Sequence, residues 1–301
     1  MRDSNRRRRI LVNGEEFQTD QALRDAVVAA GYRLDAKVRL ADALPIDGSG
    51  LSPRQYGFAM RSHFDWVISD AETTEPEFAV EFDGPSHEAE ESRARDALKD
   101  EICERLDLPL LRIGRVVLRP FRERTILAVL INAWSFYKAF AEAQDSGILP
   151  LDEPYDPYMS LDGHYEGNQL IIEQRFNIAQ PAEQLLWKLR RSDEIVAWRD
   201  AKRPTRGNIE AYAWAYLRDG GAVLGEALVR QCSFPAFLDF DLAGDLATMA
   251  LGDRLQQYLE GDLSVRVSET ALATRIPEPF AKLETHFSIH DMPGWSFGAA
   301  G

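Results

Sequence analysis

The chain has little cysteine, no long apolar run and a shortage of positive charge. Cys103 and Cys232 are its two cysteines among 301 residues. They lie far apart and form no CxxC or Cys/His spacing, which argues against a zinc site. Two isolated thiols fit a reducing cytoplasm, and Cys103 falls in a helical pattern as a small buried or half-buried residue. No run of about 18 apolar residues occurs, which argues against a transmembrane helix. The basic cluster Arg6 to Arg9 is followed only by Ile10-Leu11-Val12 before Asn13-Gly14, too short for a signal-peptide core, so a cytoplasmic location is expected. Lys and Arg number 35 against 49 Asp and Glu, a net charge of −14. That counts against a protein that holds nucleic acid by bulk attraction, but it does not exclude a nuclease.

What is present points to a packed α/β protein. Apolar residues make up 45% and charged residues 28% of the chain, enough for a core. The length favours two domains. Pro150 to Tyr158 carries three prolines and reads as a linker, giving a first domain over 1–149, a linker over 150–160 and a second domain over 161–301. The local basic stretches Arg6 to Arg9, Arg112 to Arg124 and Lys188 to Arg206 are either solvated surface or phosphate contacts.

The pattern predicts a helix over Thr19 to Ala30, with Thr19 or Asp20 as N-cap, and a short strand over Ala36 to Leu40. A strand follows over His63 to Ser69, with Phe64, Trp66 and Ile68 on one face and Asp65 and Val67 on the other. The next runs over Phe78 to Asp83, with Glu81 and Asp83 opposite Phe78, Val80 and Phe82. The short polar turn between them predicts an antiparallel hairpin. Helix is predicted from Glu88 to Leu106, with Ser86 as its N-cap. A buried strand runs over Leu108 to Ile113 and a long helix over Arg122 to Gln144. Beyond the linker, Asn168 to Phe176 reads as strand. Ala182 to Arg191, Asn208 to Leu217 and Asp245 to Leu259 read as helix, and the tail from Ile276 as irregular. Trp187, Trp198 and Trp214 are assigned to a core rather than to base stacking. His63, His164, His286 and His290 show no partner spacing.

Three features converge on chemistry. Asp65 interrupts an apolar strand, at a cost in β-propensity. Glu81 and Asp83 share a strand face, where paired carboxylates repel unless a cation compensates. On the following helix Arg95, Leu98, Lys99, Ile102 and Leu106 fall at helical spacing, so Arg95 and Lys99 border the stripe that packs on the sheet and can aim back at the carboxylates. Hard carboxylate oxygens bind Mg²⁺ and leave positions for water and phosphate. Such an ion activates water and stabilises charge on a scissile phosphate, and a nearby lysine adds to that stabilisation.

Five ordered pieces, KVRLADAL (Lys37 to Leu44), HFDWVI (His63 to Ile68), VEFDGPSH (Val80 to His87), RDALKDEI (Arg95 to Ile102) and LPLLRI (Leu108 to Ile113), resemble the PD-(D/E)XK nuclease superfamily. Within it the stretch 19–115 is similar to small bacterial domains related to very-short-patch-repair endonucleases. The resemblance implies a restriction-endonuclease-like core, a mixed central sheet flanked by helices; the pattern beyond the linker adds a mostly helical α+β region. It implies a metal-dependent endonuclease that hydrolyses phosphodiester bonds with Mg²⁺ or Mn²⁺, on DNA rather than RNA, in defence or repair. The alternative is a degenerate nuclease fold used for binding or assembly. Carried over residue by residue, Asp65 and Glu81 are the first and second metal ligands and the Phe82 carbonyl a third. The superfamily's lysine two residues after the acidic ligand is Asp83 here, and Lys99 fits a lysine migrated to the next helix. Asp83, His87 and Arg95 complete the candidate set. A glutamate is often found near the start of the first helix. Ala22 aligns there, with Glu16 or Asp20 as substitutes. The expected partners are nucleic acid, no membrane, and a protein or second copy at the C-terminal region.

Overall fold

Alternating apolar residues in the first third of the chain build a four-stranded mixed sheet. The computed structural model describes residues 14–83, 90–166 and 169–276. Helix α1 (Gly14–Ala29) leads into β1 (Tyr32–Ala36), two short helices α2 (Leu40–Ala43) and α3 (Pro53–Ala59), then β2 (Trp66–Asp70), β3 (Pro76–Phe82), α4 (Glu90–Arg105) and β4 (Leu110–Ile113). The sheet order is β1-β2-β3-β4. The first two pairings are antiparallel and β3–β4 is parallel, with α4 as the crossover that parallel strands need.

The sheet's two faces bury different cores. Trp66, Ile68, Phe78, Val80 and Phe82 face Leu23 and Val27 of α1 and Ile126 to Trp134 of α5 (Ile126–Asp145). Val67 and Ala79 face Ile102 and Cys103 of α4 together with Leu40. Phe64, expected beside Trp66 and Ile68, lies in this second core. The reason is that β2 begins at Trp66, so strict alternation does not reach back to residue 64. Helix α1 begins at Gly14, which makes the expected caps Thr19 and Asp20 interior, buried residues. The first strand lies at Tyr32–Ala36, earlier than expected. Burial pushes the Cys103 thiol up to about 12. The expected Ser86 cap and the tail beyond Ile276 lie outside the described residues.

After the small hairpin β5 (Pro120–Phe121) and β6 (Arg124–Thr125), α5 is capped by the Thr125 hydroxyl, which accepts from the Ala128 N–H. Hairpin β7 (Leu161–Glu166) with β8 (Gln169–Gln174) precedes α6 (Gln180–Arg191). Then come β9 (Ile195–Thr205), β10 (Asn208–Leu217), β11 (Ala222–Arg230), α7 (Asp239–Leu259), β12 (Arg266–Val267) and α8 (Glu269–Arg275). The second sheet, β12-β11-β10-β9, is antiparallel throughout. Asn208–Leu217, expected to be helix, is one of its two inner strands, so the C-terminal part is not mostly helical. Alanines 211, 213 and 215 gave the segment helix propensity, yet its burial has period two. Ile209, Ala211, Ala213, Ala215 and Leu217 enter the main core, and Tyr212, Trp214 and Tyr216 the opposite one. Trp187 and Trp198 meet edge to face at 4.8 Å.

The N-terminal and C-terminal parts share one continuous hydrophobic cluster. Phe234 lies 5.3 Å from the Phe78 ring and 5.6 Å from Trp134, and the Leu110 N–H donates to the Ser233 carbonyl at 3.0 Å. The proline-rich stretch is tied down: Tyr155 donates to the Ala133 carbonyl and Tyr158 to Asp245. Among the described residues no helix is long and apolar enough to cross a membrane.

Helix α7 crosses β11 at Gly225, where an added Cβ would stand 2.2 Å from the Ala247 carbonyl oxygen and 2.3 Å from the Leu251 nitrogen. Both atoms are backbone and cannot swing aside. Gly225→Ala is therefore expected to cost about 3 kcal/mol or more by overpacking, seen as a fall of several degrees in Tm; an unchanged melt would contradict this contact.

Asp245 on α7 carries a pH-dependent element of stability. Burial, with Glu183 and Asp241 adding to it, pushes its carboxyl up to about 8 against the Tyr158 hydrogen bond. A carboxyl raised on folding binds its proton more tightly in the native state, so stability is full below about pH 4 and falls as pH rises towards 8. The residue is half-buried, so solvent screening reduces the effect to about 1–2 kcal/mol. Asp245→Asn is expected to flatten the Tm-versus-pH profile between pH 5 and 8 and to raise Tm at pH 8. A profile as steep as that of the unsubstituted protein would refute the assignment.

Candidate functional site

Pairing of Trp66 with Val80 places Asp65 across from Glu81, one residue beyond the last strand pair. Both project to the face that carries Val67 and Ala79, where α4 packs. Helical spacing puts Lys99 on the same stripe as Ile102, so its ammonium arrives over the carboxylates. Lys99 Nζ donates to Glu81 Oε1 at 2.6 Å and to the His63 carbonyl at 2.9 Å. The Asp65 N–H donates to the same Glu81 oxygen at 3.3 Å, and the Phe82 N–H donates to Asp65 Oδ2 at 3.0 Å. Asp65, Glu81 and Lys99 are thus brought together as expected, with Phe82 beside them.

The pair Glu81–Lys99 is nearly sealed, its side chains 7% and 9% exposed. Burial pushes the Glu81 carboxyl above the ordinary glutamate range, against the pull of the Lys99 ammonium, while the neighbouring Asp65 charge adds to the rise. Asp65 is more open and carries a second cation: Lys37 Nζ lies 2.6 Å from Asp65 Oδ1 and 3.3 Å from Glu16 Oε1. Burial pulls the Lys37 ammonium down, but its bonds and charges to Asp65 and Glu16 outweigh that and raise it. Glu16 on α1 therefore reaches the cluster through Lys37. Asp20, the other substitute, does not: it accepts from Arg24 and from the Trp66 indole at 2.9 Å.

Asp83 faces a different set of groups. Its Oδ1 lies 3.5 Å from Arg112 Nη1 and 3.2 Å from Arg230 Nη1. Arg112 also binds Asp100 at 2.5 Å, and Arg230 binds Asp96 at 2.9 Å. Arg112 has a fully buried side chain, so this part of the expected basic stretch is an internal ion-pair hub. Its neighbours Arg115 and Arg122 pair with Glu15 and Glu173. Arg230 comes from β11, so the C-terminal sheet grips both the end of β3 and the helix that bears Lys99. A cleft of about 1610 Å³ opens on this side, lined by Asp83, Asp100, Arg112, Arg206 and Arg230 among others. Arg206, at the β9–β10 turn, is exposed. A smaller pocket of about 540 Å³ is lined by Lys37, Arg39, Asp42, His63 and Ser69 among others.

Arg95 is exposed and is not drawn into the cluster by any ion pair among the described residues. His87, Arg6 to Arg9, His286 and His290 lie outside the described residues. Lys37 and Arg230 were not singled out by sequence reasoning. Lys37 opens the KVRLADAL piece but reads there as a strand residue. Arg112 carried a usable signal, a guanidinium between Leu111 and Ile113 in a buried strand, which demands carboxylate partners.

Residues 8–119 match the sequence model of a family described as "Protein of unknown function (DUF2726)". No curated protein and no solved structure matches the chain. Glu16, Lys37, Asp65, Glu81 and Lys99 all fall within the matched span.

Proposed function

We propose that the chain is a metal-dependent endonuclease of the restriction-endonuclease-like class, using Mg²⁺ or Mn²⁺ and acting on DNA rather than RNA. The observation that carries the reading is the convergence of Asp65, Glu81 and Lys99, with Lys99 Nζ and the Asp65 N–H both on one Glu81 oxygen. The mixed sheet flanked by helices is compatible with the core that the PD-(D/E)XK resemblance implies.

The donor set fits a hard divalent cation. Among the described residues no group of three His, Cys, Asp or Glu side chains is spaced to hold a metal ion. The proposed set is instead two carboxylates, Asp65 and Glu81, with the Phe82 carbonyl. That carbonyl leaves the strand on the same edge as the Phe82 N–H, which points at Asp65. When bound, the ion supplies an activated water and neutralises charge on the scissile phosphate. The chain's own groups do the rest. The Phe82 N–H fixes the Asp65 carboxylate. Lys99 spends two of its three donors on Glu81 and His63, which leaves one for a phosphate oxygen. Arg112 and Arg230 hold Asp83, so Asp83 supports the strand end.

A degenerate, non-cutting binding module is the second reading. The observation that favours it is that Lys37 and Lys99 already neutralise the two carboxylates. Incubation with plasmid DNA and with labelled DNA and RNA strands, in Mg²⁺ or Mn²⁺ and then with chelator, separates the two. Chelator-sensitive cleavage of DNA is expected; absence of cleavage in both metals would move the protein to the second reading.

A further inference from the structure

We infer that Lys37 is an internal counter-ion for the Glu16–Asp65 side of the site, which a divalent cation displaces on binding. The inference rests on the metal reading above and goes beyond it by naming a residue that sets the affinity.

Lys37 and Lys99 do different jobs. Lys99 is buried, bonded to Glu81 and a backbone carbonyl, and has no room to leave. Lys37 is 28% exposed and bridges two carboxylates from separate elements, Glu16 on α1 and Asp65 before β2. A point where two carboxylates converge on one cation is where a divalent ion gains most over a monovalent one, because its attraction to each carboxylate is doubled. An ammonium standing there must be pushed aside first.

Two features make the displacement feasible. Lys37 lines the open pocket of about 540 Å³ shared with His63 and Asp42, so its stem can swing without disturbing the core, and the Asp42 carboxylate lies on that pocket's wall. The Lys37 backbone is separately pinned: it has φ +55°, a left-handed conformation rarely adopted by side-chain-bearing residues. Its N–H donates to the Asp65 carbonyl at 2.8 Å. The ammonium is thus presented to Asp65 by a backbone turn held by its own hydrogen bond, on a side chain that borders open space.

Titration of Mn²⁺ into the full chain, followed by the paramagnetic resonance of the free ion, tests this without reference to cleavage. Lys37→Met is expected to bind Mn²⁺ about tenfold more tightly than the unsubstituted protein, within the usual range for competition between linked ligands. Lys37→Gln should do the same. Lys37→Arg, which keeps the charge, should not tighten binding. In the Lys37→Met background, Glu16→Gln should reverse part of the gain. Unchanged or weaker binding in Lys37→Met, with measurable binding in the unsubstituted protein, would overturn the inference and leave the metal reading standing. No binding in either would overturn both.

Discussion

Asp65→Ala is expected to abolish divalent-ion-dependent cleavage while leaving the fold intact. Asp65 lies outside β2, with a side chain 20% exposed, and its backbone bonds, the carbonyl accepting from the Lys37 N–H and the N–H donating to Glu81, do not need the carboxylate. What the substitution removes is one hard oxygen ligand, the anchor of Lys37 and the acceptor of the Phe82 N–H. Loss of one preorganised charge-stabilising group costs about 10²–10³-fold in rate, and a metal ligand should cost at least that. The readout is cleavage rate alongside circular dichroism and Tm. Undiminished cleavage would remove Asp65 from the site, whereas collapse of the fold would assign it a structural role.

Lys99→Met is expected to have the largest effect on stability. It leaves Glu81, 7% exposed in its side chain, without its ammonium partner. Removing one member of a buried pair costs about 3–5 kcal/mol. The loss should depend on pH in a definite direction. Burial already raises the Glu81 carboxyl, and losing Lys99 raises it further, so the native state holds the proton more tightly than the unfolded chain. The variant therefore loses stability as pH rises above the ordinary glutamate range. Denaturant melts at pH 4 and pH 8 should show the larger deficit at pH 8. Glu81→Gln combined with Lys99→Met should recover most of the stability, because an amide and a thioether do not need each other, while cleavage stays absent. A double variant as unstable as Lys99→Met alone would mean that Lys99 is held for some other contact.

Much of the first 115 residues was legible because two-residue alternation and one amphipathic helix suffice to place Asp65, Glu81 and Lys99 on a common side. HFDWVI fixes a face from Asp65 onward, although Phe64 breaks the alternation, VEFDGPSH fixes the next, and the i, i+3 spacing from Lys99 to Ile102 fixes the third. Long-range ion pairing was not legible. Nothing local in KVRLADAL says that Lys37 turns through a positive φ to meet a carboxylate on α1, since that contact spans 21 positions. Arg230 reaches Asp83 across 147. The strand at Asn208–Leu217 was missed because alanine's helix propensity outweighed a period that only burial makes plain. The same alternation of small and aromatic residues is what a sheet between two cores requires.

The central claim is that Asp65 and Glu81 form a divalent-cation site. Calorimetric titration of Mg²⁺ and Mn²⁺ into the full chain and into Asp65→Ala measures it most directly. Saturable heats at millimolar concentration or below in the unsubstituted protein, absent in Asp65→Ala, are predicted. No saturable heat in either protein, or equal binding in both, would contradict the claim.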